Sequence, residues 1–172
     1  MLNSPDEAIS LLKQLGASTR LIKHLELVGQ AGDQVISKLE ELEIKFDKSF
    51  VQLGISIHDA GKIIHPEELS KGGNLHEAAG ENLLLKHGVD ERLARCCQSH
   101  SKYNIISVSF EELLIALSDK LWKGKRESDL ELRIIDGAAA ILRTDRWSLF
   151  ETLDSCFEEI ASTGDTRLSH SI

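Results

Sequence analysis

The chain has few prolines, few aromatic residues and no long apolar run. Two prolines occur among its 172 residues, and aromatic residues account for 5% of them. Leucine, isoleucine, alanine, glutamate and lysine dominate instead, which favours helix over strand. Strand-like alternation of apolar and polar residues is nearly absent, so the sequence predicts an all-α protein. Because no apolar run approaches the roughly 20 residues of a membrane span, it also predicts no membrane partner.

Cysteine is scarce as well. Cys96, Cys97 and Cys156 form an odd set without CxxC spacing, which is typical of reduced thiols rather than of a disulfide framework. The N-terminus has neither the basic nor the apolar region of a signal peptide. Both observations favour a cytoplasmic protein.

Positive charge is in the minority. The chain has 20 lysines and arginines against 28 aspartates and glutamates, which gives a formal net charge of -8. Such a chain repels nucleic acid and anionic membranes, so we expect no nucleic-acid partner. A small phosphate-bearing substrate would need a local positive centre, such as a metal ion with a lysine beside it.

The length of the chain fits one domain with a substantial core. No repeat, low-complexity tract or linker divides it. We therefore expect a single compact helical bundle over residues 1–172. Its motif-bearing core covers about 20–125, further helices cover about 129–162, and a frayed tail covers 163–172.

Glycines and apolar spacing predict where individual helices lie. Residues 48–58 are predicted to be helical, and Gly54 within them indicates a close crossing of helices. Gly29 and Gly32 are expected to loosen or break the preceding helix. Residues 63–73 are predicted to form a loop, because proline and two glycines interrupt them.

An adjacent histidine and aspartate, His58 and Asp59, follow the apolar run from Val51 to Ile57. Burying either side chain without a partner costs a few kcal/mol. A divalent metal would satisfy both, because neutral imidazole and carboxylate are ligands for Zn, Mn, Fe or Ni. The pair is therefore the candidate centre of a metal site.

Further histidines and an aspartate flank this pair along the chain. Bundle cores commonly hold metals between side chains of facing helices, and these residues come from separate predicted helices. His76 and His100 could complete a second site in which Asp59 bridges two ions, or they could simply occupy helix ends. One or two ions of Mn, Fe, Ni, Co, Zn or Mg remain open as cofactors. The candidate ligands for the first ion are His24, His58, Asp59 and Asp119.

The order of these residues resembles that of the HD-domain superfamily of metal-dependent phosphohydrolases. The resemblance covers roughly residues 24–119, and the segment His-Asp-Ala-Gly-Lys from His58 to Lys62 looks like the HD-x-G-K form of its dimetal members. It implies an HD-type helical bundle and a hydrolase acting on a nucleotide or a related small phosphoester. The resemblance also implies the metal roles: His24, His58, Asp59 and Asp119 would bind the first ion, and His76 and His100 would complete the second site.

Two catalytic roles and three substrate contacts complete the hypothesis. Asp59 would position the attacking water, and Lys62, one turn later, would hold a phosphate oxygen. Lys120 and Lys123 belong to the densest basic stretch and are candidate substrate contacts. Two alternatives remain open at this stage: an HD-fold sensor of metal or nucleotide with little turnover, and a di-iron oxygenase on the same scaffold.

Overall fold

The structure is a computed structural model that describes residues 1–172, and every regular element in it is helical. The absence of strands confirms the all-α prediction. A 3-10 helix (Ala60–Ile63) follows the third α-helix. The α-helices, numbered in chain order, are α1 (Pro5–Gln14), α2 (Thr19–Glu41), α3 (Lys48–Ile57), α4 (Glu68–Lys71), α5 (Leu75–Lys86), α6 (Glu91–Ala94), α7 (Cys96–Lys102), α8 (Phe110–Leu121), α9 (Ser128–Leu142), α10 (Trp147–Ser162) and α11 (Gly164–His170).

Helices α2, α3 and α8 pack against one another at the centre of the molecule. A Cβ atom on Gly54 would lie 2.2 Å from Ile115 Cδ1, and one on Gly32 would lie 2.4 Å from Ile55 Cδ1. The predicted close crossing at Gly54 is therefore confirmed. The expectation that Gly29 and Gly32 loosen or break a helix is wrong, because α2 runs through both. Packing against neighbouring helices outweighs the helix-propensity cost of about 1 kcal/mol per glycine.

The segment that follows α3 lies close to the start of α5. A Cβ atom on Gly61 would lie 1.7 Å from the backbone oxygen of His76, and one on Gly80 would lie 2.7 Å from the backbone nitrogen of Gly61. Only glycine fits such an approach of two backbones. This contact brings the first turn of α5 next to Asp59.

The predicted loop over residues 63–73 is partly helical. The 3-10 helix contains Ile63, and α4 occupies Glu68–Lys71. Lys62 lies in this 3-10 helix rather than in a continuation of α3. The sequence pattern missed α4 because a helix of four residues has no apolar periodicity to detect.

The expectation of a frayed tail over residues 163–172 is also wrong, since α11 occupies most of it. Arg167 is only 7% exposed. Its guanidinium donates to the backbone oxygens of Trp122 at 2.7 Å, Leu121 at 3.1 Å and Ile160 at 2.5 Å. Two of these acceptors, Leu121 and Trp122, lie more than 40 residues earlier in the chain, so the local sequence carries no signal of the docking.

No helix combines the length and the apolar character that crossing a membrane requires. All three cysteines are buried and free, as expected for reduced thiols. The single-domain extent proposed for residues 1–172 stays a prediction.

Candidate metal centre

The centre of the site is Asp59, at the point where α3 has ended and the 3-10 helix begins. His58 and Asp59 are 0% and 1% exposed. Four separate helices bring the remaining candidate ligands towards this carboxylate. His24 comes from α2, His76 from the first turn of α5, His100 from within α7, and Asp119 from α8.

The two oxygens of Asp59 face different partners. Oδ2 lies 2.7 Å from His24 Nε2 and accepts a hydrogen bond from Lys62 Nζ at 3.0 Å. Oδ1 lies 3.2 Å from His76 Nε2 and 3.6 Å from His100 Nε2. One carboxylate therefore stands between two sets of imidazoles.

Asp59 Oδ1 is buried and has no hydrogen-bond partner, even though the two imidazoles lie close to it. A buried carboxylate oxygen without a partner carries a substantial desolvation cost. A divalent cation coordinated by this oxygen and the imidazole nitrogens would remove that cost. The residues present therefore fit a metal ion.

The spacing of the donor atoms defines two groups that share Asp59. Within each group the donor atoms lie within 4.8 Å of one another. All six ligands predicted from the sequence are thus brought together by the fold. The first group contains His24, His58, Asp59 and Asp119, and the second contains Asp59, His76 and His100.

The imidazoles are oriented by hydrogen bonds at Nδ1. His58 Nδ1 donates to the backbone oxygen of Ile55 at 2.7 Å, and His100 Nδ1 donates to that of Cys96 at 2.9 Å. A carbonyl oxygen can only accept, so each Nδ1 carries a proton and each Nε2 faces the site. This is the arrangement that metal-binding histidines generally show.

The site concentrates charge in a buried volume. Burial alone would raise the pKa of the Asp59 carboxyl, but His58, His24 and His76 hold it well below its usual range. Burial would likewise lower the pKa of His58, but Asp59 and Asp119 raise it to about 10. The metal-free protein therefore keeps a proton on His58 between two carboxylates, and a bound cation would replace this positive charge.

The centre opens into a cleft of about 510 Å³. Arg20, Lys62 and Lys123 line this cleft, whereas Lys120 does not. Two of the three lysines proposed as substrate contacts therefore lie at the cleft. Burial lowers the pKa of Lys120, which is half-buried outside it.

The curated relatives that match this chain include two of the same name. The chain is 24% identical over 149 residues to a tRNA (cytidine(56)-2'-O)-methyltransferase of Thermoplasma volcanium, covering 77% of this chain and 40% of the relative. It is 25% identical over 142 residues to that of Picrophilus torridus, covering 82% of this chain and 37% of the relative. The chain thus spans about two fifths of the length of these relatives. No protein-family model and no solved structure matches it.

These names contradict the resemblance drawn from the motif. The interpretation as an HD-domain phosphohydrolase is wrong, and so are its two alternatives, the HD-fold sensor and the di-iron oxygenase. The roles given to Asp59 and Lys62 depended on phosphate hydrolysis, whereas the choice of site residues stays a prediction. The physical reason is that a set of imidazoles and carboxylates specifies which ions can bind, not which reaction follows.

The expected partners are corrected as well. The relatives are named for an RNA substrate, which contradicts a small nucleotide partner and the exclusion of nucleic acid. Net charge averages over the whole surface, whereas the cleft brings three cations, Arg20, Lys62 and Lys123, beside four carboxylates. Phosphate binding depends on the charges within a Debye length of about 8 Å.

Sequence reasoning also missed residues that the fold places at the cleft. Glu68 is 5% exposed and contacts His76, and Arg20 lies at the cleft from the start of α2. Trp122 packs edge-on against His24 with ring centroids 4.9 Å apart. A buried glutamate in a helix of four residues has no sequence signal of its burial, so it could not be singled out.

Proposed function

We propose that this chain is a helical metal-binding module that serves the 2'-O-methylation of cytidine in tRNA, and that its cleft binds RNA phosphate at the Asp59 centre. The names of the Thermoplasma and Picrophilus relatives support the link to tRNA methylation. The role of a module follows from the two fifths of those relatives that the chain spans. A cytoplasmic location fits a tRNA substrate and free cysteines.

The observation that carries the metal proposal is the unpartnered Oδ1 of Asp59 between His76 and His100. The first group has two imidazoles and two carboxylates, and the second has two imidazoles and one carboxylate. Imidazole-rich sets favour Zn, Fe, Co, Ni or Mn over Mg, which prefers oxygen ligands. Two groups sharing one carboxylate support two ions.

A bound metal would supply a fixed positive charge that attracts phosphate oxygens. The chain's own cations lie around the same cleft. Lys62 and Lys123 present ammonium groups, and Arg20 presents a guanidinium that can hold a phosphate through two hydrogen bonds. Because charges beyond about 8 Å are largely screened, these groups can bind RNA in a protein that is acidic overall.

Metal-dependent RNA binding tests the centre directly. Fluorescence anisotropy would follow a labelled, unmodified tRNA transcript mixed with the protein in saturating Mn²⁺ or in chelator. We expect binding in Mn²⁺ that is lost in chelator and in His58→Ala, because that change deletes a ligand of the first group. His87→Ala is the matched control, since His87 is exposed and lies outside both groups. Equal binding with and without metal would contradict the proposal.

The link to methylation is tested in the source organism. Nucleoside mass spectrometry would compare 2'-O-methylcytidine in tRNA from wild-type cells and from cells lacking this protein. We expect a lower level in the deletion strain, restored by the wild-type protein but not by His58→Ala. An unchanged level of the modified nucleoside would remove the protein from this pathway of tRNA modification.

A further inference from the structure

Glu68 is a buried carboxylate beside the second ligand group, and neither the motif nor the relatives draw attention to it. It lies in α4 and is 5% exposed. Its Oε1 accepts from the backbone nitrogen of Leu75 at 2.9 Å, and its Oε2 accepts from that of His76 at 3.1 Å. Oε2 also contacts His76 Nδ1. One side chain therefore binds both the start of α5 and the imidazole on it.

The position of His76 explains why this contact is needed. His58 and His100 bind through Nδ1 to backbone oxygens three and four residues earlier, Ile55 and Cys96. His76 is the second residue of α5, so no preceding helical turn offers such an oxygen. Glu68 supplies the missing acceptor from another element.

The Asn74 side chain, which precedes α5, makes no capping hydrogen bond. The two backbone donors bound by Glu68 are among the four that a helix start leaves unpaired, and a carboxylate is favourable there. The loop before α5 is shaped around this carboxylate. A Cβ atom on Gly73, where φ is +138°, would lie 2.6 Å from Glu68 Oε1.

We infer that Glu68 is the positioning residue of the second ligand group. It holds the His76 imidazole with its proton on Nδ1, so that Nε2 faces Asp59 Oδ1. In this way Glu68 controls occupancy by the second ion. The inference rests on the proposed metal function. A carboxylate that orients a metal-binding histidine also makes the imidazole a stronger donor, and its loss typically lowers metal affinity by about 10–100-fold.

The first group does not depend on this contact. His58 is held by Ile55, and His24 and Asp119 lie on helices that Glu68 does not contact. Removing Glu68 should therefore weaken binding of the second ion and leave binding of the first ion unchanged. A general loss of folding would weaken both ions together.

Metal titration of Glu68→Gln tests this separation. Isothermal titration with Mn²⁺ should find two ions in the wild type, with the second bound about 10–100-fold more weakly in Glu68→Gln and the first unchanged. Glu67→Gln is the matched control, because Glu67 is the exposed neighbour and undergoes the same chemical change. Nitrogen-15 NMR of the metal-free protein should find the His76 proton on Nδ1 in the wild type and control, and redistributed to Nε2 in Glu68→Gln.

A second variant distinguishes the positioning role of Glu68 from a general loss of folding. Glu68→Asp keeps the charge but shortens the side chain by one methylene, which moves the carboxylate away from His76 Nδ1, so it should also weaken the second ion selectively. If the wild type binds two ions and both variants bind them with unchanged affinity, the role of Glu68 is overturned while the metal centre stands. A wild type that takes up no Mn²⁺ would instead overturn the metal centre itself.

Discussion

At the scale of single residues, Asp59 carries the site because each of its oxygens has its own surroundings. Oδ2 is already neutralised by Lys62 Nζ at 3.0 Å, whereas Oδ1 has no hydrogen-bond partner. Lys62 is 13% exposed at its side chain, so its charge is only partly screened by solvent. The ammonium group of Lys62 therefore lies close enough to Oδ2 to repel a cation bound to this oxygen.

Replacing Lys62 by methionine should separate metal binding from RNA binding. Two like charges about 4 Å apart repel by roughly 1–4 kcal/mol between water and a protein surface, so Lys62→Met should bind Mn²⁺ about tenfold more tightly. The same variant should bind tRNA more weakly, because a phosphate-binding charge is lost. Titration calorimetry and anisotropy measure the two affinities.

Lys71→Met serves as the control for that experiment, since Lys71 is exposed and does not line the cleft. Weaker Mn²⁺ binding by Lys62→Met than by the wild type would contradict the repulsion argument. It would indicate instead that Lys62 holds Asp59 in the geometry that metal binding needs.

The ligands were predictable from the sequence because each is a histidine or an aspartate at a helix position that a bundle can bring inward. Glu68 and Arg20 were not, because their importance comes from where distant elements place them. Glu68 meets His76 only because Gly61 lets the start of α5 approach the segment after α3. No short-range pattern encodes that approach.

At the scale of helices, α11 is held by one arginine. The guanidinium of Arg167 binds the backbone oxygens of Leu121 and Trp122 at the end of α8 and that of Ile160 in the last turn of α10. The backbones meet closely here, since a Cβ atom on Gly164 would lie 2.3 Å from the backbone nitrogen of Gly124. The docked helix then places Leu168 and Ile172 along the cleft wall.

Arg167→Ala should release α11 and lower stability. Hydrogen bonds from a charged donor contribute about 1.5–3 kcal/mol, and for a chain of this size 1 kcal/mol corresponds to about 2–4 °C in Tm. A fall in Tm of roughly 5–10 °C is therefore expected. Differential scanning calorimetry measures it, with Lys13→Ala as the control, since Lys13 is exposed. A Tm equal to that of the control would show that α11 contributes no stability through this contact.

The helices differ in how far the sequence revealed them. The helices predicted over about 129–162, which are α9 and α10, were found because their apolar residues repeat over several turns. α11 was missed because its binding is polar and its acceptors lie in other helices. The continuity of α2 through Gly32 was missed for a related reason: the packing that stabilises the helix there comes from Ile55 of α3 and Ser118 of α8.

At the scale of the whole molecule, the candidate ligands link five parts of the chain that are distant in sequence. They come from α2, the end of α3, α5, α7 and α8. The fold holds their carboxylates and imidazoles together, and Asp59 Oδ1 among them has no hydrogen-bond partner. An ion bound at this junction would favour the folded chain strongly, because the unfolded chain does not hold these ligands together.

Metal loading should therefore raise the thermal stability of the whole protein. An ion present at 100 times its dissociation constant stabilises the folded state by about 2.7 kcal/mol, which corresponds to a rise in Tm of roughly 5–10 °C for a chain of this size. Scanning calorimetry in Mn²⁺ and in chelator measures the difference. His87→Ala should keep the full rise, and His58→Ala should lose most of it, because the first group then lacks an imidazole. An identical Tm in Mn²⁺ and in chelator for the wild type would contradict the metal centre, since an ion that binds only the folded protein must stabilise it.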